Sequence, residues 1–495
     1  MAIGSITFKQ EPVATSDQVP VITNWTPVVP YTVHQDDISG LFYFKLILAV
    51  YTGSAAVTAN LIAKIKQRRN GYAADITADE ARAVFDLRAI INSSLDDTTA
   101  DLNVAADGIY TTSIHTLGDN LISHPFSQNN NQIAFFYVKA FQEYSTDAAS
   151  SPSEFTTPTV NDTRLYMRAS LPLNTGRGTS DFQTYRFNKY QMDGSASHGL
   201  FLSDVQLSAG AIKSGTSYRN YVQDTDYHTL GFLNGKATDP AATQELDSNI
   251  RYIKVSYYDS DNAQILSTQT LSQRANNGGC MPLESDGELA SQGDPGRLIY
   301  LGCGPANLEA QNEETLARPS NFSGWAYYKI VGTDVGGGVM SQSYYFFKQD
   351  GSCKGFKVRR LAWINSLGCW DYFNFKMKSS QTLNVEKNEY ETMLGEFSGA
   401  MYQYNNFGRG KNTRSTSATL EETLNTDWIT EQDAELLENL IMSRNVQIIE
   451  NADTTYTVPV MVKDKSIVRK TSANDGVKIQ YTIKIEYANP INTNS

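Results

Sequence analysis

The side chains able to do chemistry are spread along the chain rather than gathered. His34, His115, His124, His198 and His228 form no His-x-x-x-His or His-Glu-x-x-His pair, the spacing that sets two zinc ligands on one helix face. Cys280, Cys303, Cys353 and Cys369 share one stretch without a Cys-x-x-Cys pair or a neighbouring His. Zinc sites usually take ligands in close pairs from turns, so these thiols are expected to be reduced and buried, with one disulfide left open. There is no Gly-x-Ser-x-Gly nucleophile elbow. Gly302-Cys-Gly304 and Gly336-Gly-Gly338 lack the continuation that a phosphate loop needs and are expected to be turns that open no helix. Asp224-Thr-Asp226 and Asp259-Ser-Asp-Asn262 lack the Gly and the twelfth-position Glu of a calcium loop, and Asx residues make tight turns without metal. A glycosidase would need two facing acids from distant strands, and nothing in the sequence marks a pair. No catalytic residue, cofactor or metal ligand is nominated.

Charge narrows the partners. With 41 basic and 53 acidic residues in 495, the net charge is −12, the reverse of the basic excess that a nucleic-acid binder shows. Three basic clusters stand against that balance: Lys64 to Arg69, Lys354 to Arg360, and Lys463-Asp-Lys465 with Arg469-Lys470. They read as solvated strand faces, or as surfaces that pair with an acidic neighbouring subunit. No apolar run approaches the roughly 20 residues that span a bilayer, since Leu41 to Tyr51 is interrupted by Lys45, and no charged-then-apolar leader opens the sequence. A soluble, unexported protein is expected.

The elements that must position these side chains are strands. Hydrophobic residues at 40% suffice for real cores. Leu41–Tyr51, Ile133–Tyr144, Arg251–Tyr258, Trp325–Val331 and Val477–Tyr487 alternate or run apolar and end at turn residues, the pattern of antiparallel sheets. In the last, Ile479, Tyr481, Ile483 and Ile485 face one side and Gln480, Thr482 and Lys484 the other. Its partner is expected at Val458–Val462 or Ser466–Thr471, through the turn Asn474-Asp-Gly476. Thr77-Ala-Asp-Glu80 reads as a capping box for a helix over 77–95, and Thr430-Glu-Gln-Asp433 opens a second over 430–444, with Ala434, Leu437, Leu440 and Ile441 as its stripe. The polar stretches 96–132, 146–163, 272–296 and 405–427 are expected to be long loops. The fold class is mainly β, several β-sandwich-like antiparallel domains in series with two short covering helices. The expected domains are 1–163, 164–290, 291–380 and 381–495.

Four segments together resemble a known class. They are Asn24-Trp-Thr-Pro-Val-Val-Pro-Tyr-Thr-Val33 with the strands that follow it, Asp226-Tyr-His-Thr-Leu-Gly-Phe-Leu-Asn-Gly235, Arg360-Leu-Ala-Trp-Ile-Asn-Ser-Leu-Gly-Cys-Trp-Asp-Tyr-Phe-Asn-Phe375, and Val458–Val462 to Asn489. Their order resembles virion structural proteins of tailed bacteriophages, especially tail or baseplate-associated β proteins of phages of marine bacteria, cyanobacteria and Bacteroidetes. The Trp-rich segment is the most specific. The resemblance implies a homo-oligomer in a symmetric virion assembly beside other tail, baseplate or fibre subunits, with no catalysis, no cofactor and no membrane span. A receptor- or glycan-binding tail adhesin and a capsid or neck decoration protein are the alternatives. The residues expected at interfaces are Trp363, Trp370, Arg409 and Lys411. Trp363, Trp370, Tyr372, Phe373 and Phe375 gather around the turn Asn365-Ser-Leu-Gly368. Core and domain junction is favoured for that cluster over an exposed docking site, because an exposed aromatic patch costs solubility.

Overall fold

A computed structural model describes residues 4–10, 21–22, 30–53, 55–68, 79–95, 114–117, 126–128, 132–169, 192, 199–204, 220–233, 250, 252–265, 268–272, 298–309, 324–334, 336–349, 355–403, 410–429, 431–450, 456–467 and 479–489. The fold is mainly β, built from antiparallel sheets with three short α-helices among the described residues. The chain divides into two compact units, one of residues 1–348 with 365–371, the other of residues 349–364 with 372–495.

The first unit contains two sandwich-like pairs of sheets. Strands β2 (Val21–Ile22), β9 (Ser153–Met167), β8 (Ile133–Ser145), β4 (Phe42–Thr52) and β5 (Leu61–Arg68) lie in that order. A three-stranded sheet, β1 (Ile6–Gln10), β3 (Pro30–Gln35) and β6 (Ala81–Asp86), shares their core. The apolar run of β4 explains its place: Leu46, Leu48 and Val50 meet Tyr31, Val33 and Phe85, while Ile47 and Ala49 are buried on the opposite face with Phe141. A strand apolar on both faces belongs in a sheet interior, and β4 is paired on both sides, by β8 and β5.

In the second pair, β10 (Asn220–Val222), β16 (Tyr344–Lys348), β15 (Tyr327–Thr333), β12 (Tyr252–Tyr258) and β13 (Gln269–Ser272) share a core with β11 (Thr229–Leu233), β14 (Leu298–Gly302) and β7 (Phe126–Gln128). Ile253, Val255, Ile330 and Phe346 face Leu230, Phe232, Ile299 and Leu301. The tyrosines divide by strand parity. Tyr328 stacks on Phe346 inside, with centroids 4.9 Å apart, and Tyr258 stacks on Tyr327 on the outer face at the same spacing.

The second unit holds the larger part of a seven-stranded sheet in the order β18 (Trp370–Phe375), β17 (Arg359–Ile364), β23 (Val446–Glu450), β24 (Tyr456–Val462), β25 (Thr482–Tyr487), β22 (Lys411–Asn425), β19 (Ser380–Glu391). The same unit contains a small hairpin, β20 (Glu396–Ser398) with β21 (Met401–Gln403). As the alternation requires, Ile479, Tyr481, Ile483 and Ile485 are buried and Gln480, Thr482 and Lys484 exposed, and β25 pairs with β24. The expected turn at 474–476 lies outside the described residues.

Several expectations are corrected. Residues 81–86 are strand, and the helix is only α1, Arg88–Ser94. Ala81, Ala83 and Phe85 are buried while Val84 is 44% exposed, so period two on the β3 ladder wins over the helical spacing. The helix α3, Glu431–Met442, lies where expected and buries Ala434, Leu436, Leu437 and Leu440. Gly304 does precede a helix, the five-residue α2, Pro305–Glu309. The expected loops at 146–163 and 405–427 contain most of β9 and all of β22, because Thr- and Ser-rich segments need only a partner strand to become polar strands. Residue 163 falls inside β9, and β7 pairs with β14 while β17 pairs with β23. Ladders therefore cross three of the expected domain limits.

Candidate functional site

The Trp-rich segment supplies two strands and the turn between them. Asn365 makes that turn: its Oδ1 accepts the amides of Leu367 and Cys369, both at 3.0 Å. Gly368 has φ +84°, and a Cβ there would lie 2.5 Å from the Arg168 carbonyl oxygen, so only glycine fits. The Gly368 carbonyl accepts the Gln132 side-chain amide, whose oxygen accepts the Tyr300 hydroxyl at 2.7 Å. The rings of Trp370 and His115 meet near-perpendicular, with centroids 4.6 Å apart.

Next to Trp370, Asp371 is 1% exposed. Ser203 Oγ donates to its Oδ1 at 2.5 Å, and the Asp204 amide and Asn365 Nδ2 donate to its Oδ2, each at 3.0 Å. The Asp204 carboxylate accepts the Ser366 amide at 3.2 Å and the Ser366 hydroxyl at 2.7 Å. Desolvation, and then the charge of Asp204, push the Asp371 carboxyl up to about 7. Desolvation also raises Asp204, against its two bonds from Ser366. Two carboxyls with raised pKa are what acid catalysis recruits. Here, however, both oxygens of Asp371 serve buried donors, and the pair clasps a turn. Cys369 beside it is also fully buried, which pushes its thiol up to about 12 and away from the thiolate that nucleophilic or metal chemistry needs.

A second feature lies in the second unit. β25 pairs with β22 only over 421–425, whereas β19 and β22 remain paired out to Glu391 and Lys411. The outer part is a two-stranded ribbon, and every residue of β19 is exposed. Parity sorts its faces. Leu383 opposite Leu420 and Val385 opposite Ala418 make one side apolar, while Asn384, Glu386 and Asn388 opposite Thr419, Ser417 and Ser415 make the other polar. Beyond it, the β20–β21 hairpin turns at Gly399, with φ +67°, and carries Phe397 and Met401 at 74% and 67% exposure, with Met393 at 77% just before it.

The ribbon is rooted on Glu422. Tyr487 donates to its Oε2 at 2.7 Å and Gln381 at 3.1 Å, and Arg359 Nε reaches its Oε1 at 2.8 Å. Burial raises this carboxyl, but the bonds from Tyr487, Gln381 and Arg359 outweigh it and hold the group below the usual range.

Among the described residues, the basic clusters mostly pair within the chain. Glu143 accepts Lys45 at 2.5 Å and also Lys66, while Glu154 accepts Lys66 at 2.8 Å and Lys64 at 3.0 Å. Lys463 meets Glu486 at 2.5 Å. Near the first cluster lies a pocket of about 590 Å³ lined by Tyr43, Phe44, Lys45, Arg68 and residues 148–152. Tyr43 sits there at φ +58°, at a break in the β4–β8 register.

Of the residues expected at interfaces, Trp363 and Trp370 are 0% and 2% exposed, so both are core residues and present no ring to a partner. Lys411 is on the ribbon, exposed, 3.3 Å from Glu389. Arg409 lies outside the described residues, as do His124, His198, Cys280 and Cys353. The Asp259 carboxylate caps its own turn through the amides of Asp261 and Ala263. The sequence reading missed both β19 and the acid pair. The available signals were the period-two Leu383 and Val385 in a polar run, and a lone carboxylate among aromatics at Trp370-Asp-Tyr372. No protein-family model matches the chain, and no curated protein matches it.

Proposed function

We propose that the chain is a non-enzymatic structural component of a phage virion, in the tail, baseplate or fibre-attachment region, that assembles with other copies into a symmetric ring or complex. The virion rests on the resemblance of the Trp-rich and flanking segments. Assembly rests on one observation, the exposed β19–β22 ribbon with its apolar face and tip. A two-stranded ribbon alone is marginally stable in water, and an uncovered apolar patch is a solubility cost that function must justify. A neighbouring subunit laid along the ribbon would relieve both. Gold-labelled antibody against the protein, applied to negatively stained particles, should mark one region of the tail. Particles that lack the polypeptide would end this reading.

A second reading, a glycan-binding tail adhesin, is favoured by the pocket at Tyr43. A non-glycine residue at positive φ is a strain that functional sites tend to hold, and Tyr43, 58% exposed, with Arg68 offers a ring and a cation to an acidic sugar. Purified protein should then bind host-surface polysaccharide, and Arg68→Ala should weaken binding about tenfold. Absence of binding, or binding indifferent to Arg68, removes this reading.

A further inference from the structure

The outer edge of β19 is the strongest unclaimed surface of the second unit. Among the described residues it pairs with β22 on one side only and ends the seven-stranded sheet. Twelve residues long, without proline, and with its register shift taken up on the β22 side, where Asn388–Glu389 faces Ser415 and Thr413, it is blunted only by its charges, Glu386, Lys387, Glu389 and Glu391.

We infer that β19 pairs antiparallel with β19 of a second copy, about a two-fold axis at Asn388. The inference rests on the reading of the chain as an assembling subunit and names the surface used.

The charges of the strand select both the partner and the register. An antiparallel two-fold pair sets residues equally spaced from the axis opposite one another on one face. An axis at Asn388 sets Lys387 opposite Glu389 of the second copy, and the symmetry repeats that pair. It also brings Leu383 towards Met393, two residues past the end of β19, both apolar and exposed at 56% and 77%. Axes at Glu386 or Glu389 would oppose two glutamates, an axis at Lys387 two lysines, and an axis at Tyr390 would set Glu389 against Glu391. Axes at Asn384 or Val385 leave Lys387 facing Gln381 or Leu383 with no ion pair. Opposite charges directly across a ladder stabilise it and like charges destabilise it. A reversed copy of the strand thus offers one complementary charge pair, which the symmetry doubles, while Glu386 meets Tyr390 and Val385 meets Glu391. Glu389 already lies 3.3 Å from Lys411, so the second copy's Lys387 would join an existing pair.

Sedimentation velocity on the full chain over about 1 to 100 μM tests this, a range that brackets micromolar self-association. Wild type should dimerise. Lys387→Glu and Glu389→Lys should each raise the dissociation constant about tenfold by setting like charges across the ladder twice, and the double swap should restore it. Under mild oxidation Asn388→Cys should yield a covalent dimer, because residues opposite on an axis have Cβ atoms about 4.5–5.5 Å apart. Asn384→Cys and the wild type, with its native cysteines, should not. A wild type that stays monomeric throughout, or a double swap as weak as the single variants, overturns the inference. If dimers form but ignore both charge changes, the assembling-subunit reading stands and β19 is excluded as the surface. Loss of virion labelling would instead remove the proposed setting and leave the pairing intact.

Discussion

Asp371 shows how one residue's burial sets a pH response. Its carboxyl is raised by desolvation and then by Asp204, to about 7, so the folded state holds a proton that the unfolded chain releases near its ordinary carboxylate value. The sign follows by linkage: the contribution of Asp371 is complete below the unfolded value and is lost as pH rises through about 7. Asp371→Asn keeps an oxygen for the amides of Asp204 and Asn365 and gives Ser203 an N–H to accept, as the protonated acid would. The variant should therefore match wild-type denaturant stability only below the ordinary carboxylate range, and exceed it by a growing margin as pH rises to about 7. A variant that loses stability equally at every pH would show that the proton is irrelevant and only geometry matters.

At the scale of elements, the ribbon depends on its root. Three donors from β19, β25 and β17 converge on Glu422, and Arg359 also reaches Glu450 at 2.5 Å. Glu422→Ala would leave Arg359 and Tyr487 short of an acceptor in a buried place, and breaking a buried pair from one side typically costs about 3 kcal/mol. The expected result is a lower denaturation midpoint with amide exchange accelerated first over 380–391 and 411–425. Uniform acceleration across the sheet would mean that Glu422 supports the unit as a whole. The ribbon also shows why sheet pairing overrides composition. Residues 411–425 are dominated by Thr, Ser, Asn and Glu, yet they form a fifteen-residue strand because β19 supplies the ladder.

In the molecule as a whole, the two units carry opposite pH responses. Glu422 in the second is held below its ordinary value, so its contribution is present above that value and lost as pH falls through the lower, folded one. Asp371 in the first contributes below neutrality and not above it. Hydrogen exchange, corrected for the intrinsic pH dependence of amides, should show residues 365–371 and 201–204 losing protection as pH rises from the ordinary carboxylate range to about neutral, while 380–391 and 421–425 lose it on acidification. Both regions moving together would refute this assignment.

What the sequence determined by itself was local. Period-two alternation is a property of consecutive residues, which is why the strands at Leu41, Ile133, Arg251, Trp325 and Val477 and the turn at Asn365 could be read directly. Charge balance and the missing ligand spacings are likewise one-dimensional facts. Tertiary structure decided whatever depends on neighbours distant in the chain. Residues 81–86 are strand because β3 offers a ladder, and Trp363 and Trp370 are core because surrounding elements close over them. Asp371 acquires a raised carboxyl only where residues 203 and 204 meet the turn at 365. The apolar side of β19 stays exposed because its burial depends on what packs over it, not on its own alternation. Burial and pairing are sums over contacts, and no window along the sequence contains the partners that fix them.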